Sequence, residues 1–143
     1  MRQRGRQLQA ELESQLKGSS RYRPNGDGTF KDLSTGLTWC ILDSYQELGG
    51  CVTYAAGMKY IQGLQHGGYT AWRMPSANEL ASLYKQAPYF PVSGAQWYWT
   101  AETAVKGYHT VADVVSAEHE SIFQREQREL TECGNVRAVL AQP

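Results

Sequence analysis

The stretch Gly68-Tyr69-Thr70-Ala71-Trp72-Arg73-Met74-Pro75-Ser76-Ala77-Asn78-Glu79-Leu80 constrains this chain more tightly than any other. Ser76 and Glu79 stand at capping-box spacing with Pro75 just outside, which predicts a helix starting at Ser76. Leu80, Leu83 and Tyr84 then share one face of that helix, the face it buries. Ahead of the helix, Trp72 is placed to fill a core between helix and sheet, and Arg73 to pair with a carboxylate such as Glu79. Trp72, Arg73, Pro75, Ser76 and Glu79 therefore read as scaffold rather than as ligand contacts.

A second run speaks for strands. Thr29–Asp32 and Leu37–Cys40 read as the arms of a hairpin, with Ser34-Thr35-Gly36 as its turn. Asn25-Gly26-Asp27-Gly28 lacks the alternating oxygens and closing Glu of an EF-hand, so it reads as a tight turn ahead of a strand. Residues 51–65 read as an amphipathic helix, ended by Gly67-Gly68 in a left-handed cap. Residues 86–97 form a loop with two prolines and three aromatics; short strands follow at 98–100, 110–115, 121–125 and 135–140. Residues 124–132 suit a helix or an exposed strand equally. Trp39 and Trp99 sit in strands with apolar or β-branched neighbours and join the scaffold. Two helices amid short, mostly antiparallel strands with long loops predict an α+β fold.

Residues 1–20 differ from the rest. Leu8, Leu12 and Leu16 recur every fourth position on an otherwise polar helix, and Gly18-Ser19-Ser20 reads as a linker to a domain over 21–143. A stripe that narrow cannot hold a helix alone. It packs on its own domain or pairs with copies of itself, and a homo-oligomer or larger assembly through this helix is the expectation.

At 143 residues the chain fits one domain, and its formal charge of zero offers no field for nucleic acid. No apolar run approaches the roughly 20 residues that span a bilayer. Arg2, Arg4 and Arg6 are not backed by an apolar stretch, so a signal or anchor is expected outside this chain. Of the three cysteines, Cys40 and Cys51 bracket a loop flexible enough to close as a disulfide, which leaves Cys133 odd. Three buried thiols remain the alternative.

The ordered motifs resemble the bacterial Lcl C-terminal domain family. The Asn-Gly-Asp-Gly-Thr turn, the Thr-Gly-Leu-Thr-Trp strand, the Gly-Tyr-x-x-Trp-Arg-Met-Pro-Ser-x-x-Glu-Leu block, the Tyr-Trp-Thr strand and a closing Val-Arg strand occur in order over about residues 22–141. The resemblance implies a C-type-lectin-like fold and an extracytoplasmic setting in the cell envelope or outside the cell. It further implies an adhesin-type domain that binds sulfated glycans and forms trimers. Where the family closes on Val-Arg-Cys-Val-Arg, this chain reads Val136-Arg137-Ala138-Val139-Leu140, with Cys133 upstream.

Binding candidates lie where the scaffold needs nothing. Tyr89, Phe90 and Trp97 sit in or at the proline-rich loop, where aromatic platforms suit the apolar faces of sugars. Tyr108 and His109 open the next strand, and Glu118-His119-Glu120 reads as a hairpin tip near them. Arg125 and Arg128 are the cations best placed for an oxyanion, although Glu126, Glu129 and Glu132 interleave with them. A lone His119 in a turn does not argue for a metal, the calcium-lectin motifs are missing, and no cofactor is expected. No nucleophile–base arrangement can be assembled from spacing, so a non-enzymatic recognition module is expected, with a glycan or envelope protein as partner. The alternative is a structural subunit of an envelope complex that uses the same surface for protein contacts.

Overall fold

A computed structural model describes residues 2–92, 94–117 and 126–140. Gly36 takes φ +77°, and the amides of Thr35 and Gly36 donate to the Asp32 carbonyl at 3.3 and 2.8 Å. This closes the turn between β2 (Thr29–Asp32) and β3 (Leu37–Cys40). β1 (Tyr22–Pro24) and β7 (Val139–Leu140) complete an antiparallel sheet in the order β1-β2-β3-β7. The turn of Gly26 and Gly28, both at positive φ, joins β1 to β2. There Asp27 Oδ1 accepts the Thr29 amide at 3.1 Å, as an Asx turn does.

A second antiparallel sheet, in the order β4-β5-β6, is built from β4 (Trp97–Lys106), β5 (His109–Ser116) and β6 (Glu126–Glu129). β4 is much longer than the strand expected at 98–100. Its register breaks between Trp99 and Thr103, and beyond that point the β4–β5 hairpin runs out with mostly exposed side chains. The strand expected at 121–125 lies outside the described residues.

Four α-helices occur among the described residues: α1 (Arg2–Lys17), α2 (Ser44–Leu48), α3 (Tyr54–Gln62) and α4 (Ala77–Lys85). α4 starts where its capping box places it. Ser76 Oγ accepts the Glu79 amide at 3.1 Å, and Glu79 Oε1 accepts the Ser76 amide at 2.8 Å. Leu80, Leu83 and Tyr84 are fully buried. α3 is shorter than the helix expected over 51–65, because Thr53 caps its start and Gly63 ends it in a right-handed conformation. Gly67 and Gly68 take positive φ only in the following turn, so they do not cap α3. α2 is an addition to the expected elements, held by a second capping box between Asp43 and Gln46.

Segment 134–140 ties the sheets together and is buried throughout. Its β7 part pairs with β3, Asn135 bridges Tyr98 of β4, Gly134 bridges Val52, and Val139 bridges Arg73. Arg137 in its centre has no exposed side-chain area, donates to Tyr84 Oη at 2.9 Å and to the Cys40 carbonyl at 2.9 Å, and faces Asp43. Tyr98 Oη donates to the same Asp43 carboxylate at 2.7 Å. A buried charge requires this degree of compensation, since desolvation alone costs several kcal/mol.

A second buried ion pair fastens the loop after α4. Arg21 reaches Asp32 through Nε at 3.0 Å and Nη2 at 2.8 Å, and donates to the carbonyls of Ser82, Gln86 and Pro88. Tyr22 Oη adds a bond to the Pro88 carbonyl at 2.7 Å.

The leucine stripe of α1 packs inward. Leu12 and Leu16 are 3% and 1% exposed and join Tyr22, Phe30, Phe90 and Ala95 in one core cluster, with Leu8 at its edge. Burial at that level is worth about 1.5–3 kcal/mol per leucine. Of the two alternatives for the stripe, packing on its own domain is the one seen for Leu12 and Leu16. The disulfide also differs from expectation: Cys51 pairs with Cys133, and Cys40 is a buried free thiol in the second core cluster. The antiparallel bridge between Val52 and Gly134 brings the two bonded cysteines side by side.

Candidate functional site

Among the described candidates, Trp97 and Arg128 come together. Trp97 opens β4 and is half-buried; its ring lies edge-on to Trp99 at 4.9 Å between centroids. Trp99 is fully buried and donates its indole N–H to the Val52 carbonyl at 3.1 Å. Beneath both rings lies Gly134, where an added Cβ would fall 2.3 Å from the Trp97 ring and 2.7 Å from Trp99 Nε1. Asn135 Nδ2 donates to the Trp97 carbonyl at 2.9 Å. The Arg128 guanidinium stacks over the Trp97 ring at 5.1 Å and is paired with Glu132 at 3.2 Å and Glu126 at 3.4 Å. The result is a rigid indole with a stacked, carboxylate-flanked cation, open on one side to solvent.

The other candidates disperse. Phe90 is fully buried, stacked on Phe30 at 4.8 Å beneath the Arg137 guanidinium at 4.4 Å, and has no surface to offer a ligand. Proline-rich sequence around it signals a loop, but Arg21 and Tyr22 pull that loop onto the body and drive Phe90 inward. Tyr89 beside it stays 42% exposed. Tyr108 is fully exposed at the β4–β5 tip, with Val105 at 74%. His109 Nδ1 lies 2.7 Å from Glu129 Oε1 there, both largely in solvent. Trp97 pairs with Ser116 while Lys106 pairs with His109, so the tip stands at the far end of β4, roughly 25 Å from Trp97 by strand rise. His119 and Arg125 lie outside the described residues.

The scaffold residues take definite places. Trp39 is 1% exposed between Phe30 and Val139 in the first sheet, and Trp72 is 6% exposed in the second cluster. Arg73 pairs with Glu79 through two bonds of 2.9 and 2.8 Å, which holds the Glu79 carboxyl below its ordinary range. Pro75 accepts the Ala101 amide at 2.8 Å and so ties the α4 start to β4.

One polar cluster escaped the sequence reading, because its members are scattered over α2, α3 and the turn after α3. His66 Nε2 lies 3.0 and 3.1 Å from the two oxygens of Glu47, and Tyr60 donates its hydroxyl to Glu47 Oε1. The Glu47 hydrogen bond raises the His66 pKa; burial opposes it, and the charges of Glu47 and Asp27 add to it. Cys40 lies within electrostatic reach of Glu47, but burial first and that carboxylate second push its thiol up. It stays protonated, and a protonated buried thiol is no nucleophile. No group of three His, Cys, Asp or Glu among the described residues is placed to hold a metal. No described helix is long and apolar enough to cross a membrane.

No curated protein and no solved structure matches the chain significantly. The family model for the Lcl C-terminal domain matches residues 28–139, from the β1–β2 turn to the closing strand. With more than half of its length matched, the chain belongs to the Lcl C-terminal domain family.

Proposed function

We propose that this chain is a non-enzymatic recognition domain of C-type-lectin-like fold, working outside the cytoplasm and binding a glycan or another envelope component. The observation that carries the reading is the Trp97–Arg128 pair on its braced floor. An indole face suits the C–H face of a sugar, and a guanidinium beside it suits an oxyanion substituent. Trp97 is braced by the buried Trp99, and Arg128 is held over it by Glu126 and Glu132, so little ordering cost falls on binding. The Cys51–Cys133 disulfide favours an oxidising compartment.

A glycan array holding neutral and sulfated chains tests this reading, with Trp97→Ala and Arg128→Gln beside the parent protein. Selective binding that Trp97→Ala abolishes and Arg128→Gln weakens is the expected result. Silence across the array, or binding indifferent to both variants, overturns it.

A second reading rests on a different observation. Val105 and Tyr108 stand exposed at the β4–β5 tip, in the manner of a contact for another protein in an envelope assembly. Co-purification with a partner at fixed stoichiometry, lost in a Val105→Ser/Tyr108→Ser double variant, would favour that reading over the first.

A further inference from the structure

The edge strands of the two sheets are not equally guarded. β1 ends in Pro24, which has no N–H to offer a further strand. β7 is bridged by Arg73 of the segment before α4, and β6 sets Glu126, Arg128 and Glu129 along its length. Such devices keep an edge from pairing with another chain. β4 is covered only in its inner half, where the Trp99 amide donates to the Asn135 carbonyl and the Ala101 amide to the Pro75 carbonyl, each at 2.8 Å. Beyond Ala101 no described residue pairs with its outer side, and Thr103, Ala104, Val105 and Lys106 are all exposed.

The hairpin register decides which backbone groups that outer side carries. Gly107, at φ +63°, and Tyr108 form a two-residue loop, so Lys106 and His109 are the hydrogen-bonded pair that flanks it. Bonded and non-bonded pairs alternate along an antiparallel ladder. Ala104 therefore bonds to Val111, while Thr103 and Val105 turn their N–H and C=O groups away from β5. Ala101 faces the same way, as its bond to Pro75 shows.

This edge is complementary to a second copy of itself. A two-fold axis through Ala104 sets Thr103 opposite Val105 of the copy, so residues with outward-facing groups meet and exchange their backbone bonds. The same axis sets Glu102 opposite Lys106 at both ends of the pairing, an opposite-charge cross-strand pair. The Glu102 carboxylate accepts the Ala77 amide at 2.6 Å, which keeps it on the α4 side of the sheet, the side Lys106 shares by alternation. Moving the axis by one residue sets Lys106 against Thr100 or Ala104 and loses both charge pairs. The lengths also agree: Pro75 covers the edge at Ala101, and the copy's strand turns away after Lys106, opposite Glu102.

We propose that the outer half of β4 pairs antiparallel with the same strand of a second copy, joining two three-stranded sheets into one across the two-fold axis at Ala104. The pairing goes beyond the recognition reading and depends neither on the Trp97 face nor on an envelope partner.

The test is sedimentation equilibrium and amide hydrogen exchange of the whole chain at concentrations up to about 1 mM, because an interface this short is weak. A monomer–dimer equilibrium is expected. The Thr103 and Val105 amides should gain protection as concentration rises, whereas Ala104 and Lys106, already bonded to β5, should not. Val105→Pro removes an N–H that the β4–β5 ladder does not use, and should abolish the dimer. Lys106→Glu, at an exposed position, sets like charges against Glu102 at both ends and should weaken the dimer roughly tenfold. Tyr108→Ser changes the loop but not the edge and should dimerise like the parent. Unchanged signals of the core residues in each variant verify that its fold is intact. A monomer at every concentration overturns the proposal and leaves the edge to a strand of another protein or to none. It is equally overturned by a dimer that Val105→Pro or Lys106→Glu leaves intact, by one that Tyr108→Ser abolishes, or by protection that rises at Ala104 and Lys106 instead.

Discussion

Arg137 Nη2 lies 3.3 Å from Asp43 Oδ2, and neither side chain is exposed to solvent. Asp43 has three tasks there: it faces the guanidinium, accepts from Tyr98, and caps α2 by accepting the Gln46 amide at 2.8 Å. Burial works against the Arg137 charge, but Tyr84, Tyr98 and Asp43 outweigh it, so the guanidinium stays charged. Asp43→Asn keeps the size and much of the cap but removes the countercharge. It should cost about 3–5 kcal/mol, as breaking a buried pair does. Urea unfolding of the oxidised protein measures this, and a loss under about 1 kcal/mol would show that the carbonyls and rings hold Arg137 unaided.

The disulfide closes a loop across 82 residues of sequence separation. Chain-entropy reasoning sets its contribution at up to about 4.5 kcal/mol for a loop that long. A Cys51→Ser/Cys133→Ser double variant should therefore unfold at much lower denaturant than the parent. Cys40 should resist alkylation in both proteins until they unfold, because its thiol is buried and its pKa raised. Alkylation of Cys40 under native conditions would contradict that placement.

The Glu47–His66 pair makes stability depend on pH. The folded pKa of His66 is raised, chiefly by its bond to Glu47, so the folded state holds the proton more tightly than the unfolded chain. The gain is fully present below the ordinary His value near 6.5 and is lost as pH rises through the folded value. Glu47→Gln should then cost more stability at pH 5.5 than at pH 9, with the two unfolding profiles converging on the alkaline side. An equal cost at both values would mean that the imidazole is neutral throughout.

Local signals in the sequence translated directly into structure. The Ser76–Glu79 box, the turn at Gly36 and the Arg73–Glu79 pair each need only residues a few positions apart, and each formed. What sequence alone misplaced depends on distant partners. Cys40 and Cys51 look like a pair by proximity, yet the Val52–Gly134 bridge decides which cysteines meet. Phe90 looks like a loop aromatic until Arg21, some seventy positions earlier, binds the carbonyls of Gln86 and Pro88. Arg137 reads as an ordinary strand residue because nothing nearby in sequence announces Asp43 or Tyr84. The candidate face was half legible: Trp97 and Arg128 stood out singly, whereas Gly134 beneath them gave no signal.

Gly134 is where fold and proposed function can be separated from simple destabilisation. Its φ is not in the left-handed region, so the only obstacle to alanine is space: a Cβ would lie 2.3 Å from one Trp97 ring atom and 2.5 Å from another. The same Cβ would press on Trp99 Nε1 at 2.7 Å, so the backbone at 134 must give way as well as Trp97, whose half-buried ring has room to swing outward. Gly134→Ala should cost about 1–3 kcal/mol, the range for overpacking, and should red-shift the tryptophan emission as Trp97 gains water. Gly50→Ala, with nothing within 4 Å of its added Cβ, serves as the control and should stay within about 0.5 kcal/mol of the parent. If the Trp97–Arg128 stack is the recognition surface, Gly134→Ala should lose glycan binding while remaining folded at 25 °C. Retained binding together with a red-shifted emission would mean that the ligand does not read the position of this indole.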